Sequence, residues 1–147
     1  MGVKQINTDE LELKRYLKSH KLAIDAIQLL DNRIDELAPF ELAKLEYLYT
    51  KAERAAWGIA AWYKKKQKYY EGVAEIAQGQ EFKKVRDDGA SSTDAQYLSR
   101  IAKGVQLTAA ADHEGDYIAW RGVAQTYERA ANSIKDMMKA NEAQGGN

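Results

Sequence analysis

Apolar residues in this chain recur at three- and four-residue intervals almost from end to end, the spacing of one face of an α-helix. In the first stretch they fall at Leu13, Leu17, Ile24, Ile27, Leu30, Ile34 and Leu37. This pattern predicts a helix over about 8–37, opened by Asn7 and Glu10 as a capping box. Pro39 disfavours helical backbone at Ala38 and is itself well placed as a first helical residue. A sharp break and a second helix over about 39–86 follow. Its seam alternates strictly by three and four, through Leu42, Leu45, Tyr49, Ala52, Ala56, Ile59, Tyr63, Lys66, Tyr70, Val73 and Ala77, as in a coiled-coil stripe. Lys66 is the charged intruder, expected either to snorkel outward or to face a wet channel. Gly79 either ends this helix or loosens it.

The run Asp87-Asp88-Gly89-Ala90-Ser91-Ser92 reads as a turn, and Thr93 with Gln96 as the capping box of a third helix over about 94–140. Its late seam is Tyr117, Trp120, Ala124, Tyr127, Ala131, Ile134 and Met138. Leu98, Ile101 and Val105 lie in a different phase, so a stutter or kink is expected near Asp112–Asp116. Residues 141–147 read as a flexible tail. No segment alternates with the period of a strand. The fold class is therefore all-α in one domain: a long antiparallel helical hairpin plus an N-terminal helix. Such thin units leave apolar stripes uncovered, so assembly into a homo-oligomer is expected, through Tyr117, Trp120, Tyr127, Ile134 and Met138.

Composition narrows the chemistry. The 147 residues include 22 basic and 22 acidic side chains and no cysteine. Disulfides, thiolate nucleophiles and cysteine–zinc sites are excluded. No apolar run approaches a membrane span, and the first residues lack a signal-peptide core, so a cytoplasmic protein is expected, with no membrane partner. With zero net charge, any nucleic-acid binding must come from local clustering.

Such a cluster exists. Trp62-Tyr63-Lys64-Lys65-Lys66-Gln67-Lys68-Tyr69-Tyr70-Glu71-Gly72 holds four lysines and four aromatic rings. Lysines neutralise phosphates and release counterions, and aromatic faces stack on unpaired bases of any sequence. Lys64, Lys65, Lys66, Lys68, Tyr69 and Tyr70 are the candidate single-strand-binding residues; the alternative is a solvated helix face with its rings in a core. Gly58 and Gly72 share the face opposite the seam, where each glycine costs about 1 kcal/mol of helix propensity and invites close approach by another backbone or strand.

Other chemistry is thin. His113 sits among Asp112, Glu114 and Asp116, but the spacing lacks a complete metal-ligand set. His20 reads as a boundary residue of the first helix. Glu71 and Glu75 share a face without a histidine partner. No phosphate loop or nucleophile elbow is present. No catalytic residue, metal or cofactor is assigned, and the chain is not read as an enzyme.

The segment Lys64–Gly72 resembles the basic helix of the UvsY-type recombination mediators of T4-like phages, in which a basic pair precedes a Tyr-Tyr-x-Gly element. Ala119-Trp120-Arg121-Gly122 is similar to that family's aromatic-Trp-Gly element, and Ala130-Ala131-Asn132-Ser133-Ile134-Lys135 to its small-residue run ending in Ile-Lys. Order and spacing agree over about 54–138; the first fifty residues match only as helix. The resemblance implies a ring-like homo-oligomer in the host cytoplasm. It also implies binding to single-stranded DNA, contact with a single-strand-binding protein, and assistance in loading a recombinase. It places the DNA-contacting pair on Lys64 and Lys66, which point about 160° apart on an ideal helix, whereas Lys64 and Lys68 share a face. Two other readings fit the residues: a helical adaptor or regulator that binds only protein through the Tyr117–Met138 stripe, and a minor structural oligomer without DNA binding.

Overall fold

The structure, a computed structural model, describes residues 8–145. It is all-helical: α1 (Thr8–Asp31), a 3-10 turn (Ile34–Glu36), α2 (Pro39–Asp87) and α3 (Ser92–Gly145). No strand occurs among the described residues. Asn7, and with it the first expected capping box, lies outside them.

Several expected boundaries are corrected. The first helix ends at Asp31, six residues early, because Asp31-Asn32 are weak helix formers and the chain tightens into a 3-10 turn instead. Leu37 then turns extended (φ −73°, ψ 133°), as the approach to proline requires. Glu41 Oε1 accepts from the Ala38 amide at 3.2 Å, which caps the start of α2. Gly79 does not interrupt α2, and no break in helical structure marks 112–116. The expected tail is helical to Gly145.

The α2–α3 turn is built from backbone chemistry. Gly89 adopts φ +98°, a left-handed geometry that glycine reaches without a Cβ penalty. The Ala90 amide donates to Val85 O at 2.9 Å and the Gly89 amide to Arg86 O at 3.0 Å, the paired bonds of a Schellman stop. The cap of α3 is Ser91, two residues before the expected Thr93. Its Oγ accepts from the Asp94 amide at 3.1 Å.

The chain divides into two compact units: one formed by residues up to Ala60 and from Ala119 onward, the other by Ala61–Ile118. In the first unit, Ala23, Ile27 and Leu30 of α1 meet Leu42, Leu45 and Ala52 of α2 and Ile134 of α3, with Leu37 from the connection. Leu45 and Ala52 are fully buried. Burial at this density stabilises by roughly 1.5–3 kcal/mol per large side chain. Lys135 pairs with Glu46 at 3.7 Å on its edge.

The second unit is built differently. Its buried residues are small or polar: Gln67, Ala74, Ala95, Ser99 and Ala110. Ser99 Oγ donates to Gln96 O at 2.9 Å, so its burial leaves no orphan hydroxyl. The expected α2 seam slips by one residue here, since Gln67 and Ala74 are buried and Lys66 and Val73 only half-buried. Leu98, Ile101 and Val105 face outward instead of lining a seam. Across the unit, Glu75 meets Lys103 at 2.8 Å, Tyr70 meets His113 and Lys64 meets Tyr117.

Candidate nucleic-acid interface

The strip lies on α2 within the second unit, where helical periodicity sends successive lysines to different neighbours. Lys64 Nζ sits 5.0 Å above the Tyr117 ring and donates to Gln67 Oε1 at 3.3 Å. Lys66 Nζ lies 5.3 Å from the Trp62 centroid and 5.8 Å from that of Tyr69. Cations over ring faces are attracted by the ring quadrupole. This answers the intruder question: Lys66 rests against aromatic faces. The resemblance's pair, Lys64 and Lys66, is thus split between two ring systems, as the 160° separation requires.

Lys68 pairs with Glu71 at 3.4 Å. Glu71 also accepts from Gln67 Nε2 at 2.9 Å. That amide, followed by Lys68, holds the Glu71 carboxyl below the usual carboxylate range. Glu71 is therefore a fixed negative charge beside the strip, a role its sequence position did not signal. Lys65 is exposed. Of the two candidate stacking tyrosines, Tyr69 is 61 % exposed and edge-on to Tyr70 at 5.2 Å. Tyr70 is half-buried and stacked on the His113 imidazole, centroids 5.2 Å apart and planes 22° from parallel. Tyr69 presents a ring outward, and Tyr70 supports it from inside.

His113 organises that support. Tyr63 lies 6.1 Å from it and Trp62 6.4 Å, nearly perpendicular. Its Nδ1 is buried without a hydrogen-bond partner. Burial, then Asp116, raises the Tyr63 hydroxyl above its ordinary range. His113 turns in among rings while Asp112, Glu114 and Asp116 are exposed, so these residues do not converge as cation ligands. Glu75, the other acid weighed for a metal, is engaged by Lys103.

The five residues expected at a subunit interface are occupied within the chain. In the second unit Tyr117 lies beneath Lys64. In the first, Ile134 is 2 % exposed in the core, and Tyr127 and Met138 pack against that core. Trp120 meets the His20 ring edge-on at 5.1 Å. α3 offers Trp120, Tyr127, Ile134 and Met138 to α1 and α2 of its own unit. His20 is likewise more than a boundary residue. Its Nε2 is 2.7 Å from the Tyr127 hydroxyl, and burial lowers its pKa below the ordinary value. Nearby, Tyr49 donates to Asp31 at 3.1 Å; burial first, then the Asp31 charge, pushes its pKa up to about 12.

The two glycines weighed as close-approach positions separate. A Cβ on Gly58 would stand 2.6 Å from the Tyr16 ring, so Gly58 admits α1 and not an outside strand. Gly72, beside Tyr69 and Glu71, has open space where its side chain would be. No described helix is long and apolar enough to cross a membrane. Comparison with family models, curated proteins and solved structures finds no match.

Proposed function

We propose that this chain binds single-stranded DNA through Lys64, Lys65, Lys66, Lys68 and Tyr69, and acts as a recombination mediator. The observation that carries the reading is the clustering of four lysines on about one turn and a half of helix, with Lys66 against the outward ring of Tyr69. Phosphates are met by charge, and a base stacks on Tyr69 regardless of sequence. Gly72 leaves room beside that ring for a strand to approach. Glu71 weakens the local field and keeps each site modest in affinity. Assembly of α2–α3 hairpins into a homo-oligomer repeats the strip, so that many weak sites hold one strand at high effective concentration.

The work is done by assembly and charge, without bond chemistry or a cofactor. A strand held along repeated strips is less available to a single-strand-binding protein and is presented to a recombinase. That last step, and a host-cytoplasmic setting, are supported by the resemblance of Lys64–Gly72 and Ala119–Gly122 to the UvsY-type mediators. A titration of labelled single- and double-stranded oligonucleotides at several salt concentrations tests the reading. Preference for single strands, with little sequence dependence and a marked salt slope, is expected. Equal or no binding to both would remove it in favour of a protein-binding adaptor, a reading favoured by the exposed apolar residues of α3.

A further inference from the structure

In the second unit, the face of α3 opposite Ala95, Ser99, Ala110 and His113 is apolar and exposed: Ile101 is 51 %, Val105 64 % and Ile118 58 % exposed. Isolated apolar residues on a surface are ordinary; here Ile101 and Ile118 bracket a row of small residues on one helix face. The row runs Ile101, Gly104, Thr108, Ala111, Gly115, Ile118, in strict three-four alternation. We propose that it pairs two copies of this chain, antiparallel, about a two-fold axis between Thr108 and Ala111.

Three observations select a second copy as the occupant. First, the row is its own complement on reversal. Ile101 comes opposite Ile118, Gly104 opposite Gly115, and Thr108 opposite Ala111, as an isologous interface demands. A face shaped for an unrelated partner has no reason to carry that symmetry. Second, charge fixes the direction. Arg100 flanks the N-terminal half of the row, and Asp112 and Glu114 flank the C-terminal half. An antiparallel copy sets basic half against acidic half, while a parallel copy sets like against like. Lys103 already holds Glu75 of its own chain, which leaves Arg100 as the main cation of this field. Third, the middle of the row is low. A Cβ at Gly104 or at Gly115 would meet nothing within 4 Å, so a second helix backbone can settle there with the isoleucines closing each end. The paired stretch is about 26 Å long at 1.5 Å per residue.

A two-fold pairing closes at two copies, so this contact brings two strips together and any larger assembly needs a further interface. The pairing is independent of DNA binding, and its test contains no DNA. The chain has no cysteine, so single cysteines report on one pairing at a time. Ile101→Cys and Ile118→Cys, both at exposed positions, are oxidised separately and as an equimolar mixture of full-length protein. Leu29→Cys, 74 % exposed on α1, serves as the random-collision control. Antiparallel pairing predicts a mixed Ile101→Cys/Ile118→Cys dimer forming at least tenfold faster than either single product or the control. Rates equal to the control, or fastest self-linking of each variant alone, would overturn it. Gly115→Leu gives a second reading by sedimentation. It fills the open space, so self-association should weaken at least tenfold while helicity stays or rises. Unchanged association would equally contradict the proposal.

Discussion

The two compact units follow opposite rules. The first turns its large apolar side chains inward: Leu42, Leu45, Ile27 and Ile134 form one core, and the aromatic rings of Tyr49 and Tyr127 close it. The second buries Gln67, Ser99 and three alanines, and leaves Leu98, Ile101, Val105 and Ile118 outside. Unit one is stabilised from within. Unit two combines a thin interior with two outward surfaces of distinct chemistry, a lysine–tyrosine strip on α2 and an apolar row on α3. The same three-four sequence pattern serves core formation in one region and surface presentation in the other.

Matched substitutions break that contrast most sharply. Ile134→Asp places a charge in the core of the first unit and should destabilise it by about 4 kcal/mol or more, read as loss of cooperative melting. Ile101→Asp, on the outer face of the second unit, should alter the melting of dilute monomer by about 0.5 kcal/mol or less and abolish self-association. If both unfold the chain, the second face is core and the contrast fails.

The glycines sharpen the comparison at smaller scale. Gly58→Ala drives a methyl into the Tyr16 ring and should cost about 1–3 kcal/mol. Gly72→Ala meets open space and should stabilise by about 1 kcal/mol through helix propensity. Denaturant melts of the two variants should therefore move in opposite directions.

Acid provides a third probe of the first unit. Burial depresses the pKa of His20 from its ordinary 6.5, so the folded state resists a proton that the unfolded chain accepts. The stability this group contributes is complete above about pH 6.5 and declines as pH falls toward the depressed folded value. The melting temperature should fall over that window, and His20→Gln should flatten the dependence.

Much of this was legible in the chain. Helical class, the Pro39 break and the Asp88–Ser91 turn follow from local chemistry, proline geometry and a glycine able to take positive φ, although the cap of α3 falls on Ser91 and not on Thr93. The seam of the first unit follows from spacing alone. What spacing could not supply was direction. Leu98, Ile101 and Val105 have the period of a buried stripe, and only the slip from Lys66 to Gln67 on α2 shows that this part of the molecule buries its polar and small residues. The strip was visible as composition. Its internal wiring was not, because His113 and Tyr117, on a different helix far along the chain, decide which lysines and rings turn outward. Gln67 looked like an ordinary surface position. A signal was present in the slip itself, since Gln67 and Ala74 stand seven residues apart beside the charged Lys66.

The claim at the centre of the account is that the Lys64–Tyr69 strip holds a single strand. Fluorescence anisotropy of a labelled single-stranded oligonucleotide, titrated across salt concentration, tests it most directly. The quadruple variant Lys64→Ala, Lys65→Ala, Lys66→Ala, Lys68→Ala is compared with the unaltered chain and with Glu71→Gln. Alanine preserves the helix, so circular dichroism should be unchanged. Each phosphate that is no longer neutralised should lower the log–log salt slope by about 0.7, and the quadruple variant should bind weakly with a nearly flat slope. Glu71→Gln should bind more tightly than the unaltered chain. Identical affinity and slope in all three proteins would show the strip to be a solvated helix face and would contradict the account.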